Sequence, residues 1–212
     1  MKLFAYAFNP FQENTYLLVH SSGECIIIDP GNSNEEENEA LLTTIQRENL
    51  LPVAVLNTHC HIDHILGNRF CMETFNVPLY AHSAEQINID RAPSASLMWD
   101  VPYVETPPIT HLLDQKDHLS VAGFDITVLF VPGHAPGHVA FYLPNHGCLF
   151  SGDVLFQGSI GRTDLPGCNH EDLLKSIAEK MYSLPDNTAV FSGHGPQTTI
   201  GQEKKTNPFV RG

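Results

Sequence analysis

The motif His59-x-His61-x-Asp63-His64 constrains this chain more than any other part of its sequence. It follows the apolar segment 53–58 (VAVLNT), which predicts a short buried strand. Side chains at positions i and i+2 of an extended chain point the same way, so His59 and His61 can hold one metal ion. Once the chain turns into a helix, Asp63 and His64 face a second ion. The motif therefore predicts a two-metal site at the end of a strand.

Further candidate ligands follow three other apolar strands. The segment CLFSG leads to Asp153, and AVFSG leads to His194. Strands that end at one edge of a fold can bring such distant segments into one cleft, on backbone that packing keeps rigid. Asp153 is the lone acid among these later motifs, so we expect it to be the carboxylate that both ions share. His194 is expected to complete the ligand set of the second ion.

The segment TVLFVPG leads to two histidines, His134 and His138, and only one is needed. Pro136 and Gly137 predict a turn before His138 and a strand after it. We therefore expect His138 to be the third imidazole of the first ion. His134 is then expected to support the site by hydrogen bonding. Imidazole and carboxylate donors suit zinc, and iron or manganese would fit the same ligands.

Asp29 ends the strand segment CIIID and precedes Pro30-Gly31. A carboxylate at this position can steady a ligating histidine through a hydrogen bond. An Asp that only forms the turn explains the pattern nearly as well. Cys60, between two candidate ligands, points away from them along an extended chain and is expected to pack in the core.

Short apolar strands alternate with helices in two successive blocks, a pattern typical of two facing sheets with helices outside. We expect one domain over residues 1–212, without a linker or repeat. An acidic run at 35–37 complements the dipole of a helix start and is not a metal site. Strands are predicted at 14–20, 24–29, 53–58, 77–81, 118–131 (two strands around Ala122-Gly123), 138–143, 147–151 and 188–191; helices are predicted at 35–49, after His64 and at 170–183, and a short helix with a Pro-rich stretch at 84–110.

Charge and cysteine usage narrow the partners. The chain has 24 acidic and 11 basic residues, for a net charge of −13, which argues against nucleic acid or an anionic membrane as the main partner. Five scattered cysteines without a C-x-x-C pair fit reduced thiols better than a disulfide framework. The N-terminus lacks the pattern of a signal peptide, and no stretch is long enough for a membrane helix. We expect a cytoplasmic protein with a small-molecule substrate; whether it is a monomer or a dimer stays open.

Several segments together resemble the metallo-β-lactamase superfamily, and more narrowly its glyoxalase II-like branch. The resemblance implies a four-layer αββα sandwich, an α/β (α+β) fold. The segments are Asp29-Pro30-Gly31, HCHIDHILGN at 59–68, VPGHAPGH at 131–138, FSGDVLF at 150–156, GRTDLPG at 161–167 and SGHGPQTTIGQEK at 192–204. The implied ligands are His59, His61 and His138 for one ion, Asp63, His64 and His194 for the other, and Asp153 for both.

The resemblance also implies a reaction. A hydroxide that bridges the metals would attack the carbonyl of a thioester such as an S-2-hydroxyacylglutathione, and no protein nucleophile is needed. Asp63 is a ligand first, and it could also accept or orient the proton. Arg162 is a candidate anchor for a substrate carboxylate; a structural pair with Asp164 is the equal alternative. Met98, Trp99 and Tyr103 form either a lid over the cleft or a subunit interface.

Other functions fit parts of the same pattern. The segment GRTDLPG is similar to one in persulfide dioxygenases, which use one iron on the equivalents of His59, His138 and Asp153. A lactonase or other ester hydrolase could use the same two metals. A non-catalytic binding module is disfavoured because no ligand position is missing. Only 15 residues follow Pro196-Gln197, so the chain resembles the short hydrolases without a glutathione-binding extension.

Overall fold

Two sheets, each with six strands among the described residues, form the middle of the fold. The structure is a computed structural model, and it describes residues 1–103, 105–114 and 118–212. The strands of the first sheet lie side by side in chain order: β1 (Lys2–Phe8), β2 (Glu13–Val19), β3 (Glu24–Ile28), β4 (Leu51–Leu56), β5 (Leu79–Ala81) and β6 (His111–Leu112).

The second sheet mixes hairpins with one parallel pair. Its strands are β7 (His118–Val121), β8 (Phe124–Phe130), β9 (Val139–Leu143), β10 (Cys148–Gly152), β13 (Ala189–Ser192) and β14 (Thr198–Thr199), in the spatial order β14-β13-β10-β9-β8-β7. Here β10 and β13 run parallel, as do β3 and β4 in the first sheet. A two-stranded ribbon of β11 (Leu155–Phe156) and β12 (Ser159–Ile160) extends from the end of β10.

Asparagine side chains cap two of the helices. The Asn34 side chain accepts a hydrogen bond from the Glu37 backbone N–H at the start of α1, and Asn169 does the same for Asp172 at the start of α4. The helices are α1 (Glu35–Arg47), α2 (Asn68–Phe75), α3 (Gln86–Trp99), α4 (His170–Lys175, continued as a π-helix over Ser176–Met181) and α5 (Ile200–Thr206). No helix of the described residues is both long and apolar enough to cross a membrane.

Alternation along the strands creates the four layers. On β2, Leu18 packs with Phe141 of the second sheet, whereas its neighbour Leu17 packs with Leu41 of α1. The second sheet does the same, because Leu149 faces Leu173 of α4. Successive side chains of a strand point to opposite faces, so each sheet buries one face against the other sheet and one against helices. The predicted αββα sandwich is confirmed.

Two regions differ from the sequence expectation. The stretch at 84–110 contains a 14-residue helix, α3, with Pro93 inside it, where only a short helix followed by a Pro-rich stretch is predicted. Pro93 is exposed, and because it has no N–H, the carbonyl of Ile89 loses its helical donor. Val104, within the same predicted stretch, lies outside the described residues. The helix after His64 begins at Asn68, because residues 62–64 form a 3-10 turn. The strand β1 and the helix α5 are not predicted from the sequence.

Candidate metal centre

Four strands end beside one another at an edge of the sandwich, and each leads directly to candidate ligands. The strand β4 leads to His59, β8 leads to His134, β10 leads to Asp153, and β13 leads to His194. The parallel pairs β3–β4 and β10–β13 both point their carboxyl ends toward this edge. Packing in the two core layers fixes the strands, and the short loops that follow them carry the polar side chains into one place.

The first group of donors consists of His59, His61 and His134. Each offers one ring nitrogen, and the three atoms lie within 4.8 Å of one another. His61 Nδ1 and His134 Nε2 are 2.9 Å apart. His134 Nδ1 lies 2.9 Å from the carbonyl oxygen of Arg162. Because that oxygen only accepts, Nδ1 carries the proton and Nε2 presents its lone pair. Three imidazole nitrogens arranged in this way can hold one divalent cation.

His138 differs from the prediction, because it belongs to none of the ligand groups found among the described residues. Its ring is fully buried and stacks on His59, with ring centroids 4.6 Å apart. Its Nε2 accepts a hydrogen bond of 3.1 Å from the Asp153 backbone N–H. The Val139 N–H bonds the Thr58 carbonyl at 2.8 Å, which holds the start of β9 behind the metal loop. The turn at 135–137 therefore brings His134, not His138, next to His61.

The second group consists of Asp63, His64 and His194, again with donor atoms within 4.8 Å of one another. Asp63 Oδ2 lies 3.1 Å from His194 Nε2 and 3.6 Å from His64 Nε2. The 3-10 turn at 62–64 turns Asp63 and His64 away from the first group. The change from extended chain to helix divides the motif between two groups, as the sequence predicts.

Asp153 lies between the two groups. Its Oδ1 is 3.5 Å from His64 Nε2, and its Oδ2 is 3.5 Å from His194 Nε2. The same Oδ2 is 3.6 Å from His134 Nε2, which belongs to the first group. A carboxylate in this position has an oxygen within reach of a cation in either group.

Asp29 sets the orientation of one histidine in each group. Its Oδ2 lies 3.2 Å from His64 Nδ1 and accepts a hydrogen bond of 2.6 Å from the Thr58 hydroxyl. Since the hydroxyl proton goes to Asp29, the Thr58 oxygen accepts from His59 Nδ1, which is 3.1 Å away. Both rings then present Nε2 to the centre. Asp29 itself adopts a φ of 48°, a left-handed conformation that Asp tolerates better than most residues.

The donors fit divalent cations. Among the donor-group residues, three buried side-chain atoms have no hydrogen-bond partner in the described part of the chain, namely His59 Nε2, His64 Nε2 and Asp153 Oδ1. A buried polar atom without a partner costs about 1–3 kcal/mol, and these atoms lie side by side. Two atoms that bind zinc at about 2.0–2.1 Å with a tetrahedral angle are roughly 3.3 Å apart. The donor separations around Asp63 and Asp153 are close to that value, from 3.1 to 3.6 Å.

Electrostatics at the centre also favour a cation. Burial lowers the pKa of His61 to about 3 and that of His59 well below its ordinary value. Burial alone would raise the pKa of Asp153, but His64 and His194 hold it well below the usual range. Burial also opposes a charged His194, yet Asp153 and Asp63 outweigh it and raise the pKa of His194 to about 10. These shifts favour the anionic form of the carboxylates and a protonated His194. A metal ion can supply the positive charge in place of that proton.

A buried carboxylate that the sequence does not reveal joins the metal loops. Glu85 Oε2 accepts from the Cys60 backbone N–H at 2.7 Å and from Asn88 Nδ2 at 2.8 Å. Its Oε1 accepts from the Gly137 N–H at 2.7 Å. Glu85 thus ties the loop of His61, the turn at 135–137 and the start of α3 together. No local pattern marks it, because the two backbone N–H groups that it accepts from, those of Cys60 and Gly137, are distant in sequence.

Glu13 is a second buried carboxyl group that the sequence does not reveal. Its Oε1 lies 3.7 Å from His64 Nδ1, and burial raises its pKa well above the ordinary value. It is the first residue of β2 and forms an isolated bridge with His194. Only the pairing of two chain segments far apart in sequence brings it to the centre.

A cleft of about 730 Å³ opens above the donors. Its floor, here called the metal floor, includes His61, Asp63, His134, Asp153 and His194. One wall is α3, and the opposite wall comes from the β11–β12 ribbon and the loop after it. The wall side chains that are apolar, here called the apolar walls, are Ala92, Ala95, Met98 and Trp99 on α3 and Phe156, Ile160, Leu165 and Pro166 opposite, with Phe11 at one end.

Arg162, the substrate anchor proposed from the sequence, and Met98 and Trp99 of the proposed lid line the cleft. Arg162 lines the cleft, but its guanidinium makes a bidentate pair with Asp164, at 2.7 Å and 2.8 Å. The structural Arg–Asp pair, one of the two sequence alternatives, is therefore present. Met98 and Trp99 lie over the cleft, and Trp99 makes an edge contact with Phe11 at 5.9 Å between ring centroids. Tyr103 packs beneath them with Ile62 and Leu66.

Gly193 lies against the ligands with no room for a side chain. A Cβ there would collide with Asp153 Oδ1 and would lie 2.6 Å from His64 Cε1. The backbone of the β13 end is thus itself a wall of the centre, and the residue before His194 must be glycine for both ligands to keep their positions.

The sequence profile of the metallo-beta-lactamase superfamily matches residues 8–194, a span that holds every donor described above. The chain belongs to the metallo-beta-lactamase superfamily. Membership agrees with the observed αββα sandwich and implies divalent metal ions. The identity of those ions differs among its members, as one of the solved structures below illustrates.

Several members of this superfamily are similar to the chain over most of its length. The probable metallo-hydrolase YqgX of Bacillus subtilis is 41% identical over 96% of this chain and 94% of its own. The hydroxyacylglutathione hydrolase GloC of Haemophilus influenzae is 35% identical over 94% and 93%. The crystal structure of the BLEG-1 B3 metallo-beta-lactamase has 43% identity and a TM-score of 0.92 over 100% of both chains. That of TTHA1623 in a di-iron-bound form has 40% identity and a TM-score of 0.87 over 98% of this chain and 100% of that one.

Proposed function

We propose that the protein is a hydrolase that binds two divalent metal ions, with zinc as the preferred ion, and hydrolyses a thioester. The observation that carries this proposal is Asp153, whose oxygens lie 3.5 Å from His64 and 3.6 Å from His134, members of different donor groups. The proposed ligands are His59, His61 and His134 for one ion, Asp63, His64 and His194 for the other, and Asp153 for both.

The side chains of this protein would position the metal ions and the attacking water. When bound, the two ions lower the pKa of water toward about 7 and so supply hydroxide at neutral pH. Asp29 and Thr58 keep the Nε2 atoms of His59 and His64 directed at the centre. Asp63 Oδ2 lies 3.1 Å from His194 Nε2 and faces the cleft. We expect Asp63 to accept or orient the proton of the attacking water.

The reaction adds water across the acyl carbon–sulfur bond, and its products are a carboxylic acid and a free thiol. A 35% identical relative is a hydroxyacylglutathione hydrolase, which supports a 2-hydroxyacyl thioester such as an S-2-hydroxyacylglutathione as substrate. A lactone or another ester is the alternative substrate. Its hydrolysis needs the same two things as that of a thioester, an activated water and stabilisation of the negative charge that develops on the carbonyl oxygen.

A substrate panel combined with metal analysis tests the proposal. Protein purified without added metal is assayed for metal content, then given thioesters, esters and lactones. We expect about two metal ions per chain and release of free thiol from at least one 2-hydroxyacyl thioester. Turnover of lactones without any thiol release would replace the thioester reading with the lactonase one.

Paired histidine variants test the assignment of the third imidazole. His134→Ala is expected to lose the first ion, whereas His138→Ala is expected to keep both ions in the molecules that remain folded, at lower thermal stability. His118→Ala serves as the matched control, because its side chain is 58% exposed and remote from the cleft. Loss of one ion in His138→Ala with full metal in His134→Ala would restore the sequence-based choice.

A persulfide dioxygenase with a single iron is the second candidate. The di-iron-bound structure of a 40% identical protein favours iron as a possible metal on this fold. Oxygen uptake on glutathione persulfide, with one iron per chain and no thioester cleavage, would establish this reaction in place of hydrolysis.

A further inference from the structure

The cleft above the metal floor has the size of a small-molecule site. Its volume of about 730 Å³ falls within the range of roughly 300–1,000 Å³ that ligand pockets occupy. The reacting carbonyl must lie at the floor, so the walls contact the rest of the substrate. The chemistry of the walls therefore indicates the kind of group that the acyl or thiol part carries.

The walls are apolar even where water reaches them. Met98 is 76% exposed and Trp99 is 45% exposed, although both are large apolar side chains. Across the cleft, Phe156, Ile160 and Leu165 present further apolar surface. Exposed apolar surface next to a polar floor marks a binding site for an apolar group. These side chains favour a substrate in which at least one segment of the acyl or thiol part is apolar.

One cation on the walls differs from the other arginine of the cleft. The guanidinium of Arg91, on α3, donates one hydrogen bond of 3.0 Å, from Nη1 to the Pro166 carbonyl. Among the described residues no carboxylate pairs with it, whereas Arg162 is neutralised by Asp164. In a chain with a net charge of −13, Arg91 is thus an uncompensated cation inside the cleft.

We propose that Arg91 binds a carboxylate of the substrate, and that an apolar segment joins this carboxylate to the thioester. The proposal rests on the proposed hydrolase function and narrows its substrate class. A guanidinium offers several donors in a fixed plane that matches a carboxylate, and most of those of Arg91 remain available. The apolar segment lies against Met98, Trp99 and Phe156 while the acyl carbonyl reaches the metal floor.

Paired synthetic substrates test the role of Arg91. The probes are S-lactoyl thioesters of ω-mercaptoalkanoic acids of increasing chain length, each matched with its primary amide. The metal-loaded wild type is expected to prefer the acid over the amide at an optimal chain length. Arg91→Gln is expected to lower kcat/KM for the acid by roughly 10- to 100-fold, mainly through KM, and to leave the amide nearly unchanged. Arg91→Lys should keep part of the preference.

Matched variants separate binding from structure. Arg162→Gln should change the preference for acid over amide less than Arg91→Gln does, because Asp164 already neutralises Arg162. Arg47→Gln, on α1 and outside the cleft, should leave it unchanged. If Arg91→Gln lowers kcat/KM equally for the acid and the amide substrates, the residue only holds the loop at Pro166, and the proposal is overturned. Equal turnover of acid and amide by the wild type overturns it as well. A wild type that cleaves no thioester at all refutes the hydrolase function itself, and the proposal with it.

Discussion

The metal floor and the apolar walls differ in how their side chains are held in place. The floor lies at the ends of core strands, next to the fully buried ligands His59 and His64, whose orientation is fixed by Asp29 and Thr58. The wall side chain Met98 is 76% exposed and is held by the surface of one helix. Four of the floor and supporting histidines, His59, His64, His134 and His194, have a partner outside the donor set that fixes the ring, whereas Met98 has none among the described residues. The proposed function therefore assigns chemistry and substrate choice to separate parts of the molecule.

The largest effect is expected at the floor, where Asp153 serves both donor groups. Asp153→Ala should lower kcat by about 10³-fold or more, since metal ions supply several kcal/mol of transition-state stabilisation. Metal content per chain, measured together with kcat, checks this. Retention of both ions and of near wild-type kcat would show that the floor does not depend on a shared carboxylate.

A smaller effect is expected one layer behind the floor. In Asp29→Asn, an amide N–H would face donors that now give hydrogen bonds to a carboxylate, the Thr58 hydroxyl and His64 Nδ1. We expect metal affinity or activity to fall by roughly 10- to 100-fold, with weaker binding of both ions rather than one. Asp125→Asn, with a side chain that is 57% exposed, is the control. Selective loss of one ion would contradict a common role in both groups.

Glu85 connects the floor to the walls, so its substitution should affect both moderately. In Glu85→Gln the side chain keeps one acceptor oxygen for the Cys60 and Gly137 N–H groups, and an unsatisfied buried donor or acceptor costs about 1–3 kcal/mol. Denaturant unfolding measures the loss, with the exposed Glu36→Gln as control. A wild-type unfolding curve would mean that packing alone holds the two loops together.

The smallest effect is expected on the walls, where two neighbouring residues of α3 form a matched pair. Met98 lines the cleft, whereas Leu97 is 86% exposed and does not. Met98→Ser should raise KM for substrates with an alkyl segment by roughly 10-fold, the magnitude of lost apolar contact in a pocket, at unchanged metal content. Leu97→Ser should leave KM as it is. Equal effects of both substitutions would remove the distinction between wall and surface.

The residues that the sequence proposes for the floor are marked by local patterns. The spacing of His59 and His61 determines that both point one way, and the apolar segments before Asp153 and His194 mark strand ends. The choice between His134 and His138 depends on how the turn at 135–137 folds back against Thr58. That contact joins positions far apart in the chain, and residue type alone does not predict it.

The walls could not be predicted in the same way. Pro93 suggests a break in the segment that forms α3, yet the helix continues past it to Trp99. Arg91 and Glu85 gain their significance from partners across the cleft and across the metal loops. Arg162 and Arg91 have the same side chain, and only the presence of Asp164 beside one of them distinguishes their charge.

The contact of Gly193 with Asp153 and His64 has a consequence for how this protein tolerates change. A saturation library that spans the chain should find positions outside the ligand set where every side chain abolishes metal binding, and Gly193 should be among them. Along α3, by contrast, most exchanges should yield folded, metal-loaded protein with altered preferences. We therefore expect substitutions on α3 to change the substrate preference of this protein. Substitutions at the strand ends are expected to abolish metal binding in most cases.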